Sequence, residues 1–241
     1  MTRLESDIQK EYYTKTASDY DKMHINPDDG RGIALQYISQ LFPIWGVKSI
    51  LDVGAGTGRA VNFLLNKNFS VIGIEPVEAL VKVGIQNGIP TSSLLLGNGE
   101  RLPFSDGSFD AVCEFGVLHH VKNPESIVKE MLRVSRKVVV LCDSNRFARG
   151  SVIARVFKYI SYKFKLWSIV DLVRTRGKGY QISEGDGLFY SYSVYDNFDI
   201  IRSWSDRVIL IPLDKDKKKF ATWLSPLFTS SKILLCGIKE E

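Results

Sequence analysis

From Lys48 onward, short apolar segments alternate with longer amphipathic ones. Five short segments are apolar and rich in β-branched residues: Ser49–Val53, Val71–Glu75, Ser93–Leu96, Ala111–Phe115 and Lys137–Cys142. Such segments are typical of parallel strands covered on both faces. Three longer segments between them have helical character: Arg59–Asn66, Val77–Gln86 and Pro124–Val134. The alternation predicts an α/β fold with right-handed crossovers and a parallel sheet.

The pattern loosens after Asn145. Residues 151–170 have helical periodicity with one apolar stripe, which predicts a helix. Residues 177–195 are rich in Gly, Ser and Tyr, which predicts a loop or lid rather than regular structure. Two further strands are predicted at Val208–Leu213 and Lys232–Ile238, and their short connection suits an antiparallel pair at the sheet edge.

A glycine-rich turn follows the first predicted strand. Gly54, Gly56 and Gly58 occupy alternating positions, where the lack of side chains lets a ligand touch the backbone. The dinucleotide fingerprint would need glycine at position 59, where Arg59 stands, and the Gly-Lys-Ser/Thr ending of a phosphate-binding loop is absent. The spacing therefore favours a nucleoside ligand without a pyrophosphate.

Polar residues end the next two strands. Glu75 lies seventeen residues after Gly58 and can accept two hydrogen bonds from a ribose diol. Asn98 follows the third strand and offers an acceptor to an adenine amino group, while the Gly99 amide can donate to a ring nitrogen. Because the carboxyl ends of parallel strands share one edge of the sheet, these groups are expected to converge on one crevice.

The chain resembles a class I S-adenosylmethionine-dependent methyltransferase of the small-molecule branch, which includes quinone C-methyltransferases and sugar O-methyltransferases. The matching phrases are LDVGAGTG at Leu51–Gly58, Glu75, GERLPFSDGSFDAV at Gly99–Val112 and VLHHV at Val117–Val121. Together they cover roughly the first 145 residues. The resemblance implies a three-layer, Rossmann-like, seven-stranded, mostly parallel sheet whose last strand is antiparallel.

We expect one structural domain with four parts. Residues 1–46 would form an N-terminal helical cap over the cofactor, and residues 47–145 the cofactor-binding core. Residues 146–198 would form a substrate-specificity insertion or lid, and residues 199–241 the C-terminal strands that complete the sheet.

The resemblance implies S-adenosyl-L-methionine as cofactor and S-adenosyl-L-homocysteine as product. Asp52, Gly54, Ala55 and Gly56 would line the methionyl part of the cofactor. The full predicted cofactor set is Tyr13, Tyr20, Asp52, Gly54, Ala55, Gly56, Gly58, Glu75, Pro76, Asn98, Gly99, Glu100 and Phe115. Tyr13, Ala17 and Tyr20 resemble the YxxxAxxY segment that covers the cofactor in this branch, although packing of an amphipathic helix explains them equally well. The family usually has Asp where Asn98 stands, so a weaker adenine contact is expected.

His119 and His120 follow the fourth strand, where side chains face the crevice. Imidazole titrates near ~6.5, which suits a general base for an oxygen nucleophile. In sugar O-methyltransferases of this branch a histidine pair acts with an aspartate that ends the fifth strand, and Asp143 occupies that position. The alternative is structural, with one histidine capping the next helix.

No metal is expected. Asp143 and Asn145 resemble the adjacent Asp-Asn ligand pair of catechol-type methyltransferases, but Ser144 separates them. Sites for hard cations need several convergent oxygen ligands.

The methyl acceptor is expected to be a small molecule, because the signatures of DNA and protein-arginine methyltransferases are absent. The aromatic run Phe189–Tyr195, with Glu184 and Asp186 before it, suits O-methylation of a hydroxylated or sugar-like metabolite. The alternative is a loop that packs its own rings.

Two further functions stay open. Basic residues surround the apolar stripe of 151–170, so the helix could lie on an anionic membrane and receive a quinone or lipid acceptor. A cap helix with its stripe on the core is the preferred interpretation. The chain could also bind S-adenosylmethionine without catalysis, as a sensor or partner subunit.

Composition narrows the setting. Apolar residues make up 44% of the chain, which suits a folded domain with a large core. The formal charge of +5 is spread along the chain, so nucleic-acid binding is not expected. The three cysteines lie in predicted strands without zinc-type spacing, which indicates buried thiols. The polar first ten residues are unlike a signal peptide, so we expect a cytoplasmic protein, monomeric or homodimeric.

Overall fold

The computed structural model describes residues 5–24, 29–214 and 225–240. Its strands are β1 Ser49–Val53, β2 Ser70–Glu75, β3 Leu94–Leu96, β4 Phe109–Phe115, β5 Ser135–Ser144, β6 Gln181–Ser183, β7 Gly187–Phe189, β8 Arg207–Pro212 and β9 Lys232–Ile238. Its helices are α1 Glu5–Thr16, α2 Tyr20–His24, α3 Gly30–Ile44, α4 Arg59–Leu65, α5 Glu78–Gln86, α6 Pro124–Val134, α7 Val152–Lys163, α8 Trp167–Arg174, α9 Phe198–Trp204 and α10 Pro226–Thr229. The seven predicted sheet strands are therefore confirmed to within about two residues at most ends.

Seven strands form one sheet in the order β3-β2-β1-β4-β5-β9-β8. The pairings among β1 to β5 are parallel, and β9 runs antiparallel to both of its neighbours. The predicted sheet, including the antiparallel last strand, is confirmed. From β1 the chain adds β2 and β3 on one side and then β4 and β5 on the other, so the strand order reverses between β1 and β4. Such a reversal opens a crevice at the carboxyl ends of the strands.

The sheet is covered on both faces because its strands alternate between two apolar cores. Ile50, Val138 and Val140 pack with helices α3 and α4. Leu51 and Val139 pack with helices α6 and α9 on the opposite face. This arrangement gives the three layers predicted for the fold. Cys113, Cys142 and Cys236 are free and buried in the sheet, as predicted.

The segment after β5 differs from the prediction in two respects. Residues 151–170 form two helices, α7 and α8, which are separated at Lys165, where φ is +58°. Residues 177–195, predicted as a loop, contain the antiparallel hairpin β6–β7. Strands of three residues are too short to show an alternating pattern, which is why the sequence does not reveal them.

The apolar stripe of 151–170 does not face the core, so the preferred cap-helix interpretation is wrong. Ile153 is 82% exposed and Phe164 is 72% exposed. Ten large apolar residues of α7, α8 and their connection are exposed: Val152, Ile153, Val156, Phe157, Ile160, Phe164, Leu166, Ile169, Leu172 and Val173. Among the described residues, no helix is both long and apolar enough to cross a membrane.

Asp110 fastens the start of β1 to β4 and thereby fixes the strand that carries the glycine-rich turn. Its Oδ2 accepts hydrogen bonds from the backbone amides of Lys48 (2.9 Å) and Ser49 (3.0 Å), and Arg136 donates to its Oδ1 at 2.6 Å. Burial would raise the pKa of Asp110, but the Arg136 guanidinium and the amide donors hold it well below its usual range.

We predict that Asp110→Ala lowers the free energy of unfolding by about 2–3 kcal/mol, because it leaves amide donors without partners. Since the pKa of this carboxyl is lower in the folded state, its contribution is present above about pH 4 and is lost as pH falls further. Urea denaturation at pH 7 and pH 3 measures both effects. Asp106→Ala, at an exposed acid that also pairs with an arginine, is the matched control and should cost much less. Equal losses for the two variants would contradict this role.

Candidate active site

A cavity of about 360 Å³, called the main cavity here, opens at the carboxyl ends of β1 to β4. The turn after β1, the loops after β2 and β3, and helix α1 form its walls. Nine residues predicted to bind the cofactor line it: Tyr13, Tyr20, Gly54, Glu75, Pro76, Asn98, Gly99, Glu100 and Phe115. The structure thus brings together residues from five separate segments. The volume lies in the range of small-molecule sites, ~300–1,000 Å³.

The turn after β1 has the conformation that its glycines permit. Gly54 and Gly56 have φ of +76° and +59°. A Cβ atom on Gly54 would lie 2.5 Å from the Val117 side chain, so any larger residue would displace the loop after β4. Gly58 begins α4 and faces Ile89, 3.1 Å from where its Cβ would lie. Gly58 therefore serves the packing of the turn rather than the cavity wall.

Glu75 joins this turn to the loop after β2. Its Oε2 accepts a hydrogen bond from the Gly56 amide and its Oε1 accepts one from the Val77 amide, both at 2.9 Å. Burial raises the pKa of Glu75 to about 7, although the two amides oppose this shift. The carboxyl is therefore an acceptor at the cavity wall that titrates near neutral pH.

A recess of about 40 Å³ adjoins the main cavity, with Tyr20, Gly54 and Phe115 on the walls of both. Asp52 and Ala55 line the recess, as does Arg31. Burial raises the pKa of Asp52 to about 7, with a further contribution from the charge of Glu75. Arg31 was missed in the sequence because it begins a helix far from the motif. It places a cation near the segment predicted to hold the methionyl group.

The turn after β3 presents Asn98, Gly99 and Glu100 to the cavity. Asn98 Oδ1 accepts a hydrogen bond from the Glu100 amide at 3.0 Å, which fixes the carboxamide orientation. Adding a Cβ to Gly99 would bring it to 2.8 Å from Val53, so this backbone lies directly against β1.

His119 is buried between two carboxylates. Its Nδ1 lies 2.7 Å from Asp143 Oδ1 and its Nε2 lies 3.3 Å from Asp186 Oδ2. The His119 amide also donates to Asp143 Oδ2 at 3.2 Å. Burial alone would lower the pKa of His119, but the charges and hydrogen bonds of Asp143 and Asp186 raise it to about 9. His119 is therefore protonated at neutral pH.

His120 has a different environment although it is the next residue. Its Nδ1 lies 2.6 Å from the carbonyl oxygen of Leu188, so we assign the ring proton to Nδ1. Nε2 then accepts a hydrogen bond from the Tyr13 hydroxyl at 3.1 Å. Burial lowers the pKa of His120, and the neighbouring charge of His119 lowers it further. His120 lines the main cavity as a neutral imidazole.

Helix α1 and the β6–β7 hairpin hold this cluster through Gln9, which sequence reasoning missed. Gln9 Oε1 accepts a hydrogen bond from the Leu188 amide at 2.6 Å, and its Nε2 donates to the Asp186 carbonyl at 3.2 Å. Gln9 lies 179 residues from Leu188, so no local pattern could reveal the contact.

The Asp143–Asn145 pair considered for a metal is already used by the protein. Asp143 bonds His119, and the Asn145 amide donates to the carbonyls of Leu227 and Ser230. Asn145 Oδ1 accepts hydrogen bonds from Phe147 and Ser193. In the described chain, His119, His120 and Asp186 offer ligand atoms within 4.8 Å of one another, but Asp186 already lies 3.3 Å from His119 Nε2 and 3.5 Å from His120 Nε2. The absence of a metal stays a prediction.

Comparison with known proteins agrees with this geometry. A sequence profile described as a methyltransferase domain matches residues 51–142. An uncharacterised methyltransferase of Mycobacterium bovis is 33% identical over 89 residues, which are 37% of this chain and 36% of that protein. A demethylmenaquinone methyltransferase of Renibacterium salmoninarum is 34% identical over 87 residues, 36% of each chain. The chain thus spans about a third of the length of these curated relatives.

Solved structures extend the similarity to the whole fold. Magnesium protoporphyrin IX methyltransferase from Synechocystis, solved with bound S-adenosylhomocysteine, superposes with a TM-score of 0.62 at 13% identity. The match covers 98% of this chain and all of that one. The fold confirms the predicted fold class, and the domain match supports the predicted cofactor, S-adenosylmethionine. Over residues 51–142 the chain is therefore similar to S-adenosylmethionine-dependent methyltransferase domains.

Proposed function

We propose that the protein transfers a methyl group from S-adenosylmethionine to an oxygen of a small hydroxylated or sugar-like molecule, with His120 as the general base. One observation carries this proposal. The main cavity reaches His120, whose Nε2 already accepts a hydrogen bond from a hydroxyl, that of Tyr13, at 3.1 Å. An acceptor hydroxyl in the same position would have its proton directed at a neutral imidazole.

The main cavity and its recess fit the cofactor in the chemistry of their walls. Glu75 would accept hydrogen bonds from the ribose hydroxyls, and Asn98 with the Gly99 amide would bind the adenine. Asp52 and Arg31 in the recess would bind the amino and carboxylate groups of the methionyl part.

The bound cofactor supplies an electrophilic methyl group on a sulfonium. His120 Nε2 would take the proton of the acceptor hydroxyl as its oxygen receives the methyl group, so that the products would be the methyl ether and S-adenosylhomocysteine. His119 cannot take that proton at neutral pH because its pKa is about 9. We therefore assign His119 and Asp143 to positioning the loop that carries His120. This assignment modifies the expectation that either histidine could be the base.

We predict that S-adenosylmethionine binds more tightly as pH rises through about 7. Glu75 must be ionised to accept two ribose hydrogen bonds, and its pKa of about 7 means that binding at pH 6 releases a proton. Affinity should weaken by up to about tenfold per pH unit below 7 and level off above 8. Calorimetry in buffers of different ionisation enthalpy measures both affinity and proton release.

Glu75→Gln should bind S-adenosylmethionine at least about tenfold more weakly. Its affinity should also depend less on pH, since Asp52 is then the remaining acid with a raised pKa. Glu78→Gln, at an exposed acid on α5, is the matched control. Unchanged affinity in Glu75→Gln would contradict the ribose assignment.

We predict that His120→Gln lowers the rate of methyl transfer about 100-fold or more while cofactor affinity stays within a few-fold. The rate of the unaltered enzyme should rise with pH along a limb whose midpoint lies below ~6.5, because the pKa of His120 is lowered. Transfer of labelled methyl to a panel of phenols, catechols and glycosides, with and without a chelator, gives the measurement.

The base assignment is wrong if His119→Gln loses this rate while His120→Gln keeps it. Loss of activity in the chelator would indicate a metal mechanism instead. Tight cofactor binding without transfer to any acceptor would favour the non-catalytic alternative.

A second candidate is methylation of a quinone or lipid at a membrane surface. The exposed apolar faces of α7 and α8 favour a membrane-surface function, because their exposed apolar residues follow one another along one continuous segment of the chain. Arg155, Lys163 and Lys165 flank these faces and suit anionic headgroups. The similarity to a demethylmenaquinone methyltransferase over residues of the core also supports a quinone acceptor.

We predict that the protein sediments with vesicles of anionic phosphatidylglycerol and not with neutral phosphatidylcholine vesicles. The double variant Ile153→Ser, Phe157→Ser should lose this binding, because it removes exposed apolar area without disturbing the core. Ile44→Ser, at an equally exposed residue of α3, is the matched control. If the protein does not bind vesicles, methylation at a membrane surface is excluded. If the protein is a dimer and the double variant is a monomer, the exposed face binds a second copy of the chain instead.

A further inference from the structure

A second cavity, of about 250 Å³, lies beside the main cavity and is called the cationic cavity here. Tyr190 is on the wall of both cavities. His119 lines the cationic cavity, and its ring centroid is 4.0 Å from that of His120, which lines the main cavity. The two cavities therefore adjoin at Tyr190 and at the histidine pair.

Four cationic side chains line this cavity: Arg146, Arg149, Lys158 and Arg174. One acid, Asp186, lines it, and that acid is bonded to His119. The cavity wall therefore carries an excess of positive charge.

Two of the four cations have no carboxylate partner in the described part of the chain. Lys158 Nζ donates to the backbone carbonyls of Arg146 at 3.0 Å and Arg149 at 2.9 Å, which are neutral acceptors. Arg149 forms no side-chain ion pair with any described residue. Burial lowers the pKa of Lys158, and Arg174, Arg149, Arg146 and Arg155 lower it further. A bound anion would relieve this repulsion.

Buried hydrogen-bond donors on the wall of the cationic cavity also favour a bound anion. Arg146 Nε, Trp167 Nε1 and the Tyr190 hydroxyl are buried and have no hydrogen-bond partner among the described residues. All three residues line the cationic cavity. The Arg146 side chain is only 7% exposed, and Asp196 holds its terminal nitrogens at 2.5 Å. Buried donors without partners are rare in folded proteins, and several around one cavity indicate a missing acceptor group.

We propose that the cationic cavity binds an anionic group, a carboxylate or a phosphate, of the methyl acceptor. This inference rests on the proposed function and narrows it to a hydroxylated acid or phosphate ester. Lys158 and Arg149 are the counter-ions, and Trp167 and Tyr190 donate to the anionic oxygens. The anionic end would hold the acceptor while its hydroxyl reaches His120.

The test uses the Trp167 indole as a reporter that does not depend on activity. The chain has four tryptophans, so a ¹⁵N–¹H spectrum resolves four indole signals, and Trp167→Phe assigns one of them. The probes are inorganic phosphate, 4-hydroxybenzoate, glycerol 3-phosphate and dioctanoyl phosphatidate, with 4-hydroxybenzamide and glycerol as neutral partners. The anionic probes should move the Trp167 signal in a saturable way and the neutral partners should not. Saturation by the phosphatidate alone would assign the group to a lipid, and saturation by the soluble probes would assign it to a soluble acid or phosphate.

Arg149→Gln and Lys158→Gln should each raise the dissociation constant roughly tenfold or more, since each removes a charge-assisted contact. Lys129→Gln, which removes the same charge from an exposed residue of α6 outside the cavity, should leave it unchanged. Arg149 is exposed, so its variant remains informative even if Lys158→Gln disturbs the fold.

The inference is overturned if neutral partners move the Trp167 signal as strongly, if no probe moves it, or if Lys129→Gln weakens binding as much as the other two variants. Methyl transfer to neutral acceptors without anion binding would overturn this inference and leave the proposed function standing. Anion binding without any methyl transfer would overturn the proposed function and leave the cationic cavity as an anion-binding site.

Discussion

The two hydrogen bonds that the Glu75 carboxylate accepts are the constraint on which the candidate cofactor site depends. This one carboxylate accepts hydrogen bonds from the backbone amides of Gly56 and Val77, so the turn after β1 and the loop after β2 are held at a fixed separation. Asp52 is buried nearby, and its pKa is raised by burial and by the charge of Glu75. Two acids that are partly neutral at pH 7 form a wall that becomes more negative when donors and a positive charge arrive. A ligand with ribose hydroxyls, an amino group and a sulfonium provides both the donors and the positive charge.

A second constraint acts at the other end of the main cavity, where residues from four distant segments meet. Asp143 comes from β5, Asp186 and Leu188 from the hairpin, Gln9 from α1, and the two histidines from the loop after β4. Two carboxylates around His119 fix its positive charge, and that charge in turn favours the neutral form of His120. The pair thus divides into a charged and a neutral imidazole, and only the neutral one can remove a proton. The same cluster borders the cationic cavity, so His119 lies between the base and the acceptor site that we propose.

The sequence predicts the sheet well because strands buried on both faces are mostly apolar, as β1, β2, β4, β5 and β9 are. The crevice residues are also predictable, since Gly54, Glu75 and Asn98 each follow a strand. Contacts between distant segments leave no such pattern, so Gln9 and Arg31 were missed. The apolar stripe of 151–170 has the same period whether it faces a core or solvent, which is why its orientation was predicted wrongly. The difference between His119 and His120 depends on partners 24 and 68 residues away.

The most direct test of the account is a crystal structure of the protein with S-adenosylhomocysteine. We expect the ribose hydroxyls on Glu75, the adenine beside Asn98 and Gly99, and the homocysteinyl group in the recess with Asp52 and Arg31. The sulfur should then face the part of the main cavity that His120 lines. Density for the ligand outside the main cavity, or a ribose that does not contact Glu75, would contradict the central claim.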